Sequence, residues 1–118
     1  MWFRPTRKHV EIYIGWANEN EDALPDSIIK QFTISVMNMN SNASFQKWLK
    51  QEHLFRMRIP VLILLGENEF AFSVLKEERC AKKVIADLDI QIVEGASHLL
   101  PVCKLNYINN KVLEFIKK

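Results

Sequence analysis

The sequence is poor in cysteine, in long apolar runs and in net charge, and each scarcity excludes a class of protein. Its two cysteines, Cys80 and Cys103, fit no metal-binding spacing and no disulfide framework, so we expect two small buried thiols. The longest apolar run, residues 59–65, is far shorter than the roughly 20 residues of a membrane span. A net charge of +2 is too small to indicate a nucleic acid or a membrane surface as partner.

The remaining composition is that of an ordinary globular protein. Of 118 residues, 48% are hydrophobic and 25% are charged, which predicts one domain with a real core. The first five residues include an arginine and a proline, so they do not form a signal peptide, and we expect a cytoplasmic protein. The three histidines are far apart in sequence, which argues against a zinc site, and no cofactor is predicted.

The first half of the sequence predicts helices over residues 7–17, 26–37 and 44–55. Over residues 7–17 a strand is the alternative, because Val10, Ile12 and Ile14 also alternate. Ser44 is the predicted cap of the third helix. The residues expected to face inward from the three helices are Val10, Tyr13, Ile14, Ala17, Ile28, Ile29, Phe32, Val36, Phe45, Trp48, Leu49 and Leu54.

The second half alternates strand and helix. Residues 61–65 are continuously apolar, as in a strand covered on both faces, and Gly66 ends them. A helix over 73–86, a strand over 89–93 and a terminal helix over 104–116 follow, so the fold class is α/β with parallel strands. The helix residues expected to face inward are Val74, Leu75, Cys80, Ala81, Val84, Ile85, Leu105, Ile108, Val112, Leu113, Phe115 and Ile116.

Two strands cannot hide faces this apolar, because both edges and much of each face stay exposed. The pattern therefore implies further strands. They could come from a separate polypeptide, from a second copy of the chain, or from an upstream part of the gene.

Two titratable residues follow the two predicted strands. Glu69 lies three residues after Gly66, and His98 follows the small-residue turn of residues 95–97. Each alone is more often a solvated acid or a structural histidine, but parallel strands deliver both to one sheet edge. There a carboxylate can orient an imidazole and stabilise its charged form. Glu67 is an alternative acid.

Residues 58–69 resemble the strand of α/β-hydrolases that carries the triad acid, with the pattern I-P-x-L-x-x-x-G-x-x-D. Residues 95–98 are similar to the family's G-A-G-H loop, which carries the triad histidine. The resemblance implies that residues 1–57 are a helical, cap-like segment. It implies that residues 58–118 are the C-terminal βαβα part of the core, with Glu69 and His98 as catalytic acid and base.

The sequence departs from the family at three points. Glu69 stands where most relatives carry Asp, and Ser97 replaces the second glycine of the histidine loop. No G-x-S-x-G motif is present, so the turn that presents a serine nucleophile is not in this sequence. Ser97 and Cys103 lie near His98, but nothing places either on such a turn.

Two functional hypotheses follow. The resemblance implies the C-terminal fragment of a serine-type hydrolase acting on a small-molecule ester or related acyl bond. Such a fragment would need no cofactor and would be inactive alone, because the nucleophile is missing. Its expected partner is the N-terminal half of the hydrolase or a second copy of the chain. The alternative is a non-catalytic hydrolase-like module that associates with itself or with a partner through its exposed sheet edge.

Overall fold

The computed structural model describes residues 6–17, 24–39 and 50–118. Helices precede a β-α-β unit, and helices follow it. The elements in chain order are α1 (Arg7–Ala17), α2 (Asp26–Met37), α3 (Gln51–Phe55), β1 (Val61–Gly66), α4 (Val74–Val84), β2 (Leu88–Val93), α5 (Leu100–Cys103) and α6 (Leu105–Ile116).

The first segment is a helix, as predicted, and the strand alternative is wrong. Helical spacing wins because Val10, Ile14 and Ala17 then lie on one side, where they are buried against Leu99. Leu99 follows His98, so α1 packs directly beside the histidine loop. Tyr13, which was also expected inside, is exposed because it lies at the margin of this side.

Helix α2 begins and ends where the sequence predicts, but its buried residue is Thr33 rather than Phe32. The Thr33 hydroxyl donates a hydrogen bond to the Ile29 carbonyl at 2.7 Å, so its burial leaves no unpaired polar group. Helix α3 begins only at Gln51, because Lys50 before it is extended, so the helix predicted over residues 44–55 is not continuous. The predicted cap Ser44 and the three apolar residues expected after it lie outside the described residues.

Strands β1 and β2 form a parallel two-stranded sheet, which confirms the predicted β-α-β unit. The register runs from Val61 opposite Leu88 to Gly66 opposite Val93. Side chains alternate between the two faces. Leu64 on one face packs towards α5 and α6, whereas Ile63 on the other lines a groove with residues of α4.

Several residues expected inside are exposed. Cys80 is exposed and Cys103 half-buried, so the prediction of two buried thiols is wrong. The other exposed members of the predicted apolar faces are Leu75, Leu105, Val112, Leu113 and Ile116. Periodicity identifies the apolar side of a helix, but burial requires a neighbour, and two strands cover only part of α4 and α6. The short α5 was not predicted; Pro101 stands in its first turn, where a missing N–H costs little.

Candidate active site

Glu69 lies in the turn immediately after β1. Its backbone N–H donates to the Gly66 carbonyl at 3.3 Å, and its Oε1 accepts a hydrogen bond from the Ala71 N–H at 2.9 Å. The side chain is only 7% exposed. A carboxylate that is shielded from water and tied to its own turn is held in one orientation.

The imidazole of His98 lies against this carboxylate. Nδ1 is 2.9 Å from Oε1 and 2.8 Å from Oε2 of Glu69. An ionised carboxylate can only accept, so Nδ1 carries the proton and Nε2 is left as the basic nitrogen. The His98 side chain is 37% exposed, in contrast with its partner. The pair thus combines a sheltered acid with an accessible imidazole, the arrangement used for general base catalysis.

The loops that carry the two residues are joined along their backbones. The parallel ladder continues past the strands, with the Glu67 N–H donating to the Val93 carbonyl at 3.0 Å and the Asn68 N–H to the Ala96 carbonyl at 2.8 Å. At Gly66 a Cβ would lie 2.6 Å from the carbonyl oxygens of Ala96 and Ser97. Only glycine permits so close an approach.

Glu67, the alternative acid, does not contact His98. Its Oε2 accepts a hydrogen bond from the Gly95 N–H at 2.9 Å instead. The structure therefore brings Glu69 together with His98 and directs Glu67 to the backbone of the histidine loop. The contact agrees with the choice of Glu69 over Glu67, which lies two residues earlier after the same strand.

Aromatic rings extend from the pair towards α1, and sequence reasoning missed them. Phe70 contacts the His98 ring edge-on, with centroids 5.1 Å apart and planes at 65°. Tyr13 of α1 contacts Phe70 in turn, with centroids 6.2 Å apart. The signal available in the sequence was the position of Phe70 directly after the acid. These rings wall one side of the imidazole with apolar surface.

Neither candidate nucleophile in the chain is suitably placed. Ser97 is 1% exposed, so its hydroxyl is closed to a substrate. Cys103 is half-buried at the end of α5, where it packs against the cluster formed with α1. A nucleophile must be exposed on its turn and within reach of its base.

The residues that the structure describes contain neither a cluster of metal-ligating side chains nor a membrane-spanning helix. Across residues 6–17, 24–39 and 50–118, no group of three or more His, Cys, Asp or Glu side chains could hold a metal ion. In the same ranges no helix has both the length and the apolar content needed to cross a bilayer.

The order of elements and the acid–histidine pair are those of one fold class. The solved structure of naproxen esterase (carboxylesterase NP) from Bacillus subtilis superposes with a TM-score of 0.81 and 27% sequence identity, over 92% of this chain and 40% of that one. The chain has the fold of the C-terminal part of an α/β-hydrolase.

The curated relatives that match the chain are carboxylesterases. An uncharacterized carboxylesterase, nap, of Bacillus subtilis strain 168 is 29% identical over 113 residues, covering 90% of this chain and 38% of that protein. Carboxylesterase YbfK of the same organism is 25% identical with the same coverage. This chain therefore spans about two fifths of the length of these relatives. No family model matches the sequence.

Proposed function

We propose that this chain supplies the acid and the base of a serine-type hydrolase that cleaves carboxylic esters. The observation that carries the proposal is the contact of His98 Nδ1 with the sheltered Glu69 carboxylate at 2.8 Å. The similarity to carboxylesterases supports the ester as substrate class. The substitution of Glu for the usual Asp is compatible with this role, because the longer side chain reaches the imidazole in this structure.

In this mechanism His98 Nε2 removes the proton of a serine hydroxyl while the serine oxygen bonds to the ester carbonyl carbon. The carbonyl electron pair moves to its oxygen, and it returns as the bond to the alcohol breaks. Nε2 passes its proton to that alcohol, and a water then repeats the sequence to release the acid. Glu69 fixes the ring and stabilises its charged form. No cofactor takes part.

The serine and the oxyanion-binding N–H groups come from outside the 118 residues, so the chain alone is inactive. The partner we propose is the N-terminal part of the hydrolase, which also supplies further strands. Two observations support it: the apolar sides of α4 and α6 are only partly covered, and the chain matches about two fifths of its relatives. A second copy of the chain could cover the same surfaces but would bring no serine turn.

A fluorophosphonate probe, which labels activated serines, tests the proposal. The chain alone should not be labelled, whereas the proposed N-terminal part of the hydrolase should be labelled once the chain is added. His98→Ala should abolish that labelling. His53→Ala is the matched control, since His53 lies on α3 beside Glu52, and it should leave labelling intact.

Labelling of the isolated chain would contradict the proposal, and so would labelling that survives His98→Ala. A mixture that forms a complex by solution mass but takes up no probe would favour the non-catalytic interaction module. A stable homodimer without labelling would favour self-association.

A further inference from the structure

Glu67 makes a contact that the reaction itself does not require. Its Oε2 accepts a hydrogen bond from the Gly95 N–H at 2.9 Å, across 28 residues of sequence. A bond between an ionised carboxylate and a backbone N–H is stronger than a neutral one. The Glu67 carboxylate thus binds a backbone N–H of an exposed loop that would otherwise hydrogen-bond to water.

Gly95 is the residue at which the histidine loop changes direction. Its φ is +64°, in the left-handed region that glycine adopts without strain. Nothing lies within 4 Å of a Cβ built there, so packing does not hold this residue in place. The contact from Glu67 is therefore a restraint on the turn, three residues before His98.

The neighbouring restraints act on other parts of the loop. The backbone bonds from Glu67 and Asn68 reach Val93 and Ala96, on either side of Gly95. Leu99, after the histidine, is fixed by the α1 cluster. The Ala96 N–H also donates to the Val93 carbonyl at 3.3 Å, which closes a turn around Glu94 and Gly95. The central peptide of such a turn can still flip, and the Glu67 carboxylate holds its N–H in one orientation.

We propose that Glu67 is a positioning residue, which holds the histidine loop through Gly95 so that Nδ1 of His98 stays on Glu69. This inference rests on the proposed function, since it assigns Glu67 a task in the same site. Two acids after one strand thereby divide the work: Glu69 orients the ring, and Glu67 orients the loop that carries it.

Four variants of the full chain separate this role from a general effect of charge. Glu67→Ala removes both the acceptor and the charge. Glu67→Asp keeps the charge but is one methylene shorter, and Glu67→Gln keeps the reach and an acceptor oxygen without the charge. Glu94→Ala is the matched control, because Glu94 is an exposed acid of the same loop, next to Gly95.

Nitrogen NMR of the labelled chain provides the readout. In Glu67→Ala and Glu67→Asp, exchange of the Gly95 amide should accelerate by about tenfold, as expected for a lost hydrogen bond to a charged group. The imidazole nitrogen shifts of His98 should move from the single Nδ1–H form towards a mixture of tautomers. Glu67→Gln should retain most of the Gly95 amide protection and the Nδ1–H form of His98. Glu94→Ala should match the unchanged chain in both properties.

The proposal is overturned if the His98 tautomer stays fixed while the Gly95 amide loses its protection. It is equally overturned if Glu67→Gln behaves like Glu67→Ala. Should Glu67→Ala fail to fold, the comparison of the Asp and Gln variants decides by the same criteria. Because none of these measurements needs catalysis, a negative probe experiment would leave their outcome intact, and their failure would leave the probe experiment valid.

Discussion

The two ends of the sheet are built differently. At the carboxyl ends of the strands, backbone hydrogen bonds continue from the sheet into the two loops. The histidine loop packs so closely against Gly66 that a Cβ there would clash, and the Glu69 and His98 side chains are in contact. At the amino ends, an open groove lies beside Pro60 and Asp87. An ion pair between Lys118 and Asp89, at 2.6 Å, links the end of the chain to β2 there.

This difference shows which part of the fold the chain completes by itself. The carboxyl edge depends on contacts between residues 66–69 and 93–98, all of which lie within this chain. The sheet faces and the outer sides of α4 and α6 depend on neighbours that two strands do not provide. We expect substitutions at the carboxyl ends to have large effects and those at the amino ends to have small ones.

The largest effect should come from Glu69→Gln, measured as ester hydrolysis once the chain is combined with the N-terminal part proposed above. An amide can donate to Nδ1 and so favours the wrong tautomer, and the corresponding change in a serine protease lowers kcat by about 10⁴-fold. Glu69→Asp keeps the charge but places it farther from the imidazole, so we expect kcat to fall by about 10²-fold.

The control for this pair is Glu94→Gln, which removes one acid from the same edge without touching the imidazole. It should retain full activity. Equal activity of Glu69→Gln and the unchanged protein would show that Glu69 is only a neighbour of His98.

The second effect concerns two glycines with opposite surroundings. Gly66→Ala places a Cβ against two carbonyl oxygens, so we expect the free energy of unfolding to fall by about 1–3 kcal/mol. Gly15→Ala is the matched control. It lies inside α1 with nothing within 4 Å of its Cβ, and it should stabilise the chain by about 0.5–1 kcal/mol. Denaturant unfolding of both variants tests the sign of each change.

Much of this edge could be predicted from sequence, because its determinants are local. The apolar run before Gly66 and the small residues before His98 indicate where each strand ends, and parallel pairing then brings the following residues together. The contact of Glu69 with His98 agrees with that expectation, although their catalytic roles stay predictions, as does the division into residues 1–57 and 58–118.

The rest depended on tertiary contacts that periodicity does not contain. Helical spacing marked Leu113 and Ile116 as apolar-face residues, but their burial needs a neighbour that the described chain lacks. The different contacts of Glu67 and Glu69 follow from the geometry of the two loops, which the sequence pattern does not contain. The contact of Phe70 with His98 likewise required the two loops to be placed against each other.

A smaller effect should follow from removing the ring beside the imidazole. Phe70→Ala deletes the edge-on contacts with His98 and with Tyr13, and each pair of this kind contributes about 0.5–1.5 kcal/mol beyond burial. We expect a loss of that size in unfolding free energy and a shift of the His98 ring protons. Phe72→Ala is the control, because Phe72 lines the groove beside α4. If both variants shift the His98 protons equally, the ring contact has no specific effect.

The smallest effect should appear at the amino ends, where the pKa of Asp89 is lowered by hydrogen bonds from Lys118 first and Gln91 second. A carboxyl whose pKa is lower when folded stabilises the fold above its ordinary pKa, and this contribution disappears as the pH falls through the folded value. The unfolding free energies of the unchanged chain and Asp89→Asn should therefore differ slightly near neutral pH and converge in acid. Because the pair is exposed, added salt should also reduce the difference. If Asp89→Asn changed the unfolding free energy as much as Gly66→Ala, both ends of the sheet would contribute equally to the stability of the chain.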